Sequence, residues 1–300
     1  MIKLADATQA QEKKATRAAY GVTLAQLADE GIPVVAVDAD LTGSTTTKKF
    51  AAANEAYADR LYNVGIAVFG TGRAYDQIRN TVCYGNLNVK IAPTHAGISV
   101  GPDGGSHQML EDISLMRGLP NMRVLVPADY EAARAAIRLA AETSGPVYVR
   151  MGRASVPAVY AEGVQLELGR AYVLREGTDA TIVACGVMID QALKAADMLE
   201  QKGVSVEVID AFSVKPLDEE TILTSVRKTG CVVTAEEHSV YGGLGSAVAE
   251  TLVQNEPVPM EMIGMKDRFG KSGAFEELLD YFKMDAAAIV DAVERVRSRA

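Results

Sequence analysis

Short β-branched runs alternate with amphipathic stretches over nearly the whole chain, and this alternation constrains the fold more than any other feature. It is the pattern of parallel α/β layering, in which helices cover the faces of parallel sheets. In the first half the predicted strands cover residues 33–37, 61–64, 88–93, 123–126 and 146–150. The predicted helices cover residues 10–29, 72–84, 108–117 and 130–142, the last capped by Asp129 after Pro127. From Ala154 to Gly169 the periodicity fades. That stretch is too irregular for a buried helix and long enough to join two domains. The expected division is residues 1–155, a linker at 156–169, and a smaller second domain at 170–300. There the alternation resumes with strands near 180–185, 204–209, 231–235 and 259–263, and helices at 188–201, 218–228, 244–255 and 285–299.

At 300 residues the chain has room for two cores, and 48% apolar with 23% charged residues is the balance of a soluble globular protein. It contains no apolar run of about 18 residues, and its start lacks the pattern of a secretory signal, so a cytoplasmic location is expected. A formal charge of −9 disfavours nucleic acid and anionic membranes as partners. An anionic small substrate would need locally placed arginines. Cys83, Cys185 and Cys231 are far apart, the last two in apolar strand-like runs, and read as buried thiols rather than disulfides or metal ligands.

The strongest local signal is the segment from Thr94 to Gln108, which holds His95, Asp103 and His107 among glycines after a strand and before a helix. Ligands bind at such strand ends in α/β sheets. Imidazoles there can move protons or hydrogen-bond hydroxyls; the plain alternative is a turn with solvated histidines. Eleven residues between the histidines is no standard metal spacing, and no metal site is expected. In the segment from Asp38 to Thr47, small hydroxyl side chains such as Ser44 either hold a phosphate or cap the next helix. Arg150 and Arg153 end a strand where guanidinium forks can grip a phosphate or carboxylate, though surface charge is the simpler reading. Arg17 on the first helix has the same two readings. The turn after Glu236, Glu237 and His238 is glycine-rich, and a structural or interface role fits it better than anion binding.

Taken together, the segments DADLTGS, THAGISVGPDGGSHQMLEDI, PNMRVLVPAD and PVYVRMGRASVP closely resemble the C-terminal half of transketolase, in its order and spacing. The second half, through AEEHSVYGGLGSAVAE, resembles that family's third domain. The resemblance implies a pyrimidine-binding domain followed by a transketolase C-terminal domain, as in one subunit of a split transketolase. It implies thiamine diphosphate with Mg2+ or another divalent ion, the diphosphate and metal held mainly by an N-terminal partner subunit. A dimer of such heterodimers, moving a two-carbon ketol unit between sugar phosphates, would follow. By position, His95 and His107 match histidines that contact the reacting hydroxyl or carbonyl, and Asp103 matches the residue that reads hydroxyl stereochemistry. Arg17, Ser44 and Arg153 match the phosphate grip, with Arg150 a weaker candidate. Asp40 matches a residue of the cofactor-facing motif, and Phe69 resembles an aromatic lining the pyrimidine pocket.

One departure stands out. After Asn63-Val64-Gly65-Ile66-Ala67 the family continues with Glu-Gln-Asn, a helix and a strand; here the chain passes directly to Val68-Phe69-Gly70. Roughly two dozen residues are missing, about one helix and one strand. With them goes the glutamate that hydrogen-bonds the aminopyrimidine and promotes ylide formation. Neither Glu55 nor Glu111 follows the strand end as that glutamate does. The sequence therefore supports a ketol-transferring subunit, a non-catalytic binding or assembly subunit, or a thiamine-dependent relative acting on another sugar phosphate.

Overall fold

A computed structural model describes residues 2–6, 12–36, 41–58 and 66–300. Its strands are β1 (Lys14–Ala15), β2 (Lys90–Ile91), β3 (Arg123–Leu125), β4 (Val147–Val149), β5 (Ser155–Val156), β6 (Tyr172–Arg175), β7 (Ala180–Ala184), β8 (Val206–Asp210), β9 (Ser213–Lys215), β10 (Val232–Ser239) and β11 (Met260–Met265). They form a four-stranded sheet ordered β2-β4-β3-β9 and a five-stranded sheet ordered β11-β10-β7-β8-β6, with β1 and β5 as a separate antiparallel pair. The inner pairings β2/β4, β3/β4, β7/β8, β7/β10 and β10/β11 are parallel, so the chain has the expected α/β architecture.

Four strands lie outside the predicted ones: β1 and β5, which pair with each other, and β6 and β9, both antiparallel at sheet edges. β6 pairs with β8, and β9 leaves the second sheet's connections to pair with β3 of the first. Their sequences, YVLR and SVK, are too short to display a period. The inner strands show it well. In β7, Ala180, Ile182 and Ala184 face one core cluster and Val183 the other, and in β3 Leu125 and Val124 divide in the same way. Such two-sided burial is the property of sheets covered on both faces.

The helix Tyr130–Glu142 begins where predicted, with the Asp129 carboxylate accepting from Ala132 N at 2.7 Å. A cap of this kind contributes about 1 kcal/mol. Asp129 also accepts from the backbone of Val159 and Tyr160, so it fastens the connecting segment as well. The helices Met188–Glu200, Glu219–Thr229, Leu244–Asn255 and Ala286–Arg297 lie within two residues of their predicted bounds. The first helix is shorter than predicted: a 3-10 turn at Thr16–Ala19 leads into Tyr20–Asp29, and Lys14–Ala15 pair as strand instead. Likewise the helix predicted from Gln108 starts at Asp112. The helix Phe275–Phe282 had no counterpart in the prediction.

The predicted strand at 61–64 lies outside the described residues, and that at 33–37 is described only as far as Ala36, which makes a single bridge. The three cysteines are free and buried, as their sequence context suggested. Among the described residues no helix is long and apolar enough to cross a membrane.

Candidate active site

The geometry of the site starts with the β1–β5 ladder. Lys14 pairs with Val156 and Ala15 with Ser155. Continuing that antiparallel register brings Arg17 opposite Arg153. The Thr16 hydroxyl holds the continuation by accepting from Gly152 N at 2.8 Å. Two arginines from opposite ends of the first half are thus apposed where each is only partly exposed. Burial, then the neighbouring Arg153, lowers the pKa of Arg17 from its ordinary value. A pair of like charges in such a setting favours an anion between them.

His95 completes this corner. It is 4% exposed and takes a left-handed backbone conformation, φ 64°, which is uncommon outside glycine. Arg17 Nη1 lies 3.2 Å from His95 Nε2, and Thr94 Oγ1 lies 2.6 Å from Nδ1. A guanidinium only donates, so Nε2 accepts and Nδ1 carries the proton toward Thr94. Burial first, then Arg17 and Arg153, pushes the His95 pKa down to about 4, with Asp103 acting in the opposite direction. At neutral pH the ring is uncharged.

His107 lies on the same loop, its ring edge-on to Phe69 with centroids 5.7 Å apart, and the Arg73 guanidinium sits 4.5 Å over the other ring. These contacts tie Phe69 to the histidine loop. The Arg153 guanidinium donates to Val100 O at 3.0 Å, which orients it along that loop. Ser44 takes part through its backbone: Arg17 Nη1 donates to Ser44 O at 2.8 Å. Among the hydroxyls beside it, that of Thr46 braces Arg17. Thr46 Oγ1 donates to Arg17 O at 2.8 Å, and the N-cap position of the short helix Thr42–Thr45 makes no side-chain cap. Asp40 lies outside the described residues.

Arg150 requires a correction. It was a candidate for the phosphate grip, but its side chain is 3% exposed and its donors are committed. Nε donates to Asp112 at 2.7 Å, Nη1 to Glu237 Oε1 at 3.3 Å, and Nη2 to Asp112 and to Glu237 O. Tyr148 donates its hydroxyl to the same Asp112 at 2.6 Å. Arg150 therefore joins the two halves of the chain. Burial raises the pKa of Glu237, while Arg150 and Ser99 oppose that shift.

The turn after β10 is structural, as its sequence suggested. Glu236 accepts from Leu244 N at 2.7 Å and Gly245 N at 2.8 Å, holding the start of the helix Leu244–Asn255. Sequence reading missed Thr16 and Ser99, since a lone hydroxyl gives no pattern that distinguishes it. Among the described residues, no group of three or more His, Cys, Asp and Glu side chains is placed to hold a metal ion.

The missing segment has a definite location. Ile66 bridges Thr94 in parallel, and Ala67 N donates to Thr94 O at 2.7 Å, one residue from His95. The next residue is Val68, which opens a widely wound helix, Val68–Arg73. No Asp or Glu occurs between Leu61 and Tyr75. The donor set beside His95 thus lacks a carboxylate following Ala67, and it does not fit an aminopyrimidine that must be activated by one.

Residues 169–289 match the family model for the transketolase C-terminal domain, and residues 12–71 and 67–158 match that for the transketolase pyrimidine-binding domain. The second match comes in two pieces that meet at the junction just described. A putative transketolase C-terminal section from Methanocaldococcus jannaschii is 41% identical over 307 residues, covering 93% of this chain and 95% of that protein. An alignment longer than this 300-residue chain means that the relative carries residues with no counterpart here. A 6-deoxy-6-sulfo-D-fructose transketolase subunit from a Clostridium species is 38% identical, covering 94% of each chain. Among solved structures, a split-gene transketolase described as an inactive β4 tetramer superposes with a TM-score of 0.87 at 45% identity, covering 95% of this chain and 99% of that one. The chain belongs to the transketolase family, as a relative of its split-gene subunits.

Proposed function

We propose that this chain is the pyrimidine-binding and C-terminal subunit of a two-component, thiamine-diphosphate-dependent transketolase, with residues 1–155 and 170–300 as its two domains. In this subunit the residues assigned to the substrate half of the site are all present, and the cofactor-activating glutamate is not. The observation that carries the reading is the apposition of Arg17 and Arg153 beside an uncharged His95. Two guanidinium groups suit a phosphate dianion, and a neutral imidazole beside them can exchange hydrogen bonds with a sugar hydroxyl without adding charge. Asp103, exposed on the loop, supplies an acceptor for a further hydroxyl, and His107 stands against Phe69 at the other end.

Thiamine diphosphate, when bound with a divalent ion held mainly by an N-terminal partner subunit, supplies the carbanion chemistry of ketol transfer. The chain's own residues support binding and orientation of the sugar phosphate. They do not support cofactor activation, because Val68 follows Ala67. The reading is therefore a sugar-phosphate-binding subunit whose complex with its partner, in a dimer of heterodimers in the cytoplasm, turns over poorly. The second reading, full ketol transfer, is favoured by the intact His95, Asp103, His107 and Arg153.

The test mixes the chain with an N-terminal transketolase subunit, thiamine diphosphate, Mg2+ and a panel of ketose and aldose phosphates. Saturable sugar-phosphate binding is expected, with turnover at least 100-fold below that of a variant carrying the family's Glu-Gln-Asn segment inserted after Ala67. Comparable turnover by the two proteins would overturn the activation deficit. Failure of the chain to bind any sugar phosphate would overturn the reading as a whole.

A further inference from the structure

The histidine loop is gripped on two sides by the C-terminal half of the chain. On one side stands Glu237, at the end of β10. Its Oε2 accepts from Ser99 N at 3.0 Å and its Oε1 from Ser99 Oγ at 3.1 Å. Gly97 fits against that carboxylate only because it lacks a Cβ; one built there would overlap Glu237, and φ is 77° besides. On the other side runs the strap Gly270-Lys271-Ser272-Gly273. Gln108 Nε2 donates to Lys271 O at 2.9 Å and to Ile98 O at 3.2 Å, so one amide ties both limbs of the loop to the strap. The two backbones meet glycine to glycine. A Cβ on Gly105 would stand 2.7 Å from Gly270 O, one on Gly101 would stand 3.2 Å from Gly273 O, and one on Gly270 would overlap Gln108 Oε1. At Gly101 and Gly105 the nearest atoms are backbone carbonyl oxygens of the strap, and at Gly270 the Gln108 side chain fills the space a Cβ would take. The strap is anchored in turn, because it leads into the helix Phe275–Phe282, whose Leu278 and Leu279 share a core cluster with Ile98.

We infer that Glu237 and the Gly270–Gly273 strap form a two-sided clamp through which the C-terminal half sets the position of His95, Asp103 and His107, making Glu237 and Gly270 positioning residues of the site. The loop carries a strained residue, His95, and such a conformation persists only where surrounding contacts over-determine it. The ligand that benefits rests on the sugar-phosphate reading; the clamp does not.

The test uses the full chain and three variants. Gly270→Ala crowds the strap, Ser99→Ala removes one hydrogen bond to Glu237 without adding atoms, and Val290→Ala truncates a buried side chain in the helix Ala286–Arg297, outside the clamp. Imidazole ring signals are followed by NMR against pH, together with the thermal midpoint and the affinity for inorganic phosphate. Gly270→Ala and Ser99→Ala are expected to raise the His95 titration midpoint by at least half a pH unit, shift the His107 ring signals, and weaken phosphate at least 5-fold. Val290→Ala, at a similar loss of thermal midpoint, is expected to leave all three unchanged. If the loop variants move the histidines no more than Val290→Ala does, the clamp is refuted. If the parent binds no phosphate while its histidines respond as described, the sugar-phosphate reading fails and the clamp stands. Should Gly270→Ala fail to fold, Ser99→Ala decides the matter.

Discussion

Arg17 Nη1 lies 3.2 Å from His95 Nε2, an arginine donating to the one ring nitrogen that carries no proton. After burial, the charge that would grip a phosphate is thus the next cause that keeps the histidine neutral. His95 titrates low, at about 4, so its neutral form contributes stability that is fully present above the ordinary histidine value of about 6.5 and is lost as pH falls through 4. Arg17→Met should raise the midpoint, since a cation is removed, and should abolish phosphate binding. Saturating phosphate should also raise it in the parent protein, because an anion favours the imidazolium. Ring-proton NMR titration checks both; a midpoint that stays put in Arg17→Met would contradict the assignment of the contact.

The Arg150 pairing predicts a different kind of loss. Removing one member of a buried ion pair leaves its partner charged without compensation, at a cost of about 3–5 kcal/mol. Arg150→Met should lower stability by that amount in urea unfolding, because both Asp112 and Glu237 lose their cation. Arg153→Met, at a partly exposed position on the loop, should cost less than about 1 kcal/mol and act on phosphate affinity instead.

Asp210 gives the alkaline side of the stability profile. It is fully buried, accepts from the Tyr160 hydroxyl at 2.6 Å, and its Oδ1 has no hydrogen-bond partner among the described residues. Burial pushes its pKa up to about 8, with Asp129 adding to the effect and the Tyr160 hydrogen bond opposing it. A carboxyl whose folded pKa is raised contributes stability that is complete below the unfolded value near 4 and declines as pH rises through 8. Asp210→Asn should flatten that decline, leaving the variant more stable than the parent at pH 9 relative to pH 6. Thermal midpoints at the two pH values report the difference.

Truncation after residue 158 should not yield a folded pyrimidine-binding domain. β3 would lose β9 and become an open edge, which invites pairing between chains. Arg150 would lose Glu237 at the same cut. Aggregation or a non-cooperative unfolding curve is expected; a monomer with a sharp transition would show that β9 is dispensable.

Legibility in the sequence followed the range of the signal. β7 and β10 were visible because apolar residues on both faces make continuous runs, and the helix Tyr130–Glu142 because its cap and apolar stripe lie within one window. The β1–β5 ladder was not, since its register joins residues from opposite ends of the first half and neither strand exceeds two residues. For the same reason Arg17 and Arg153 were read separately. The predicted first helix is too long because residues 10–15, AQEKKA, are all good helix formers locally, while Lys14 and Ala15 pair with a distant strand. Arg150 and Arg153 both follow one strand, and only burial separates the structural guanidinium from the one proposed for the site.

β9 also changes how the molecule can move. The polypeptide passes between its two sheets at the connecting segment before β6, and twice more around Ser213–Lys215, where it enters the first sheet and returns to the helix Glu219–Thr229. Three covalent passages and a strand shared across the boundary leave no axis about which one half can swing. Any opening of the site must then be a local excursion of the histidine loop or, in the proposed two-component assembly, a displacement of this subunit as a unit.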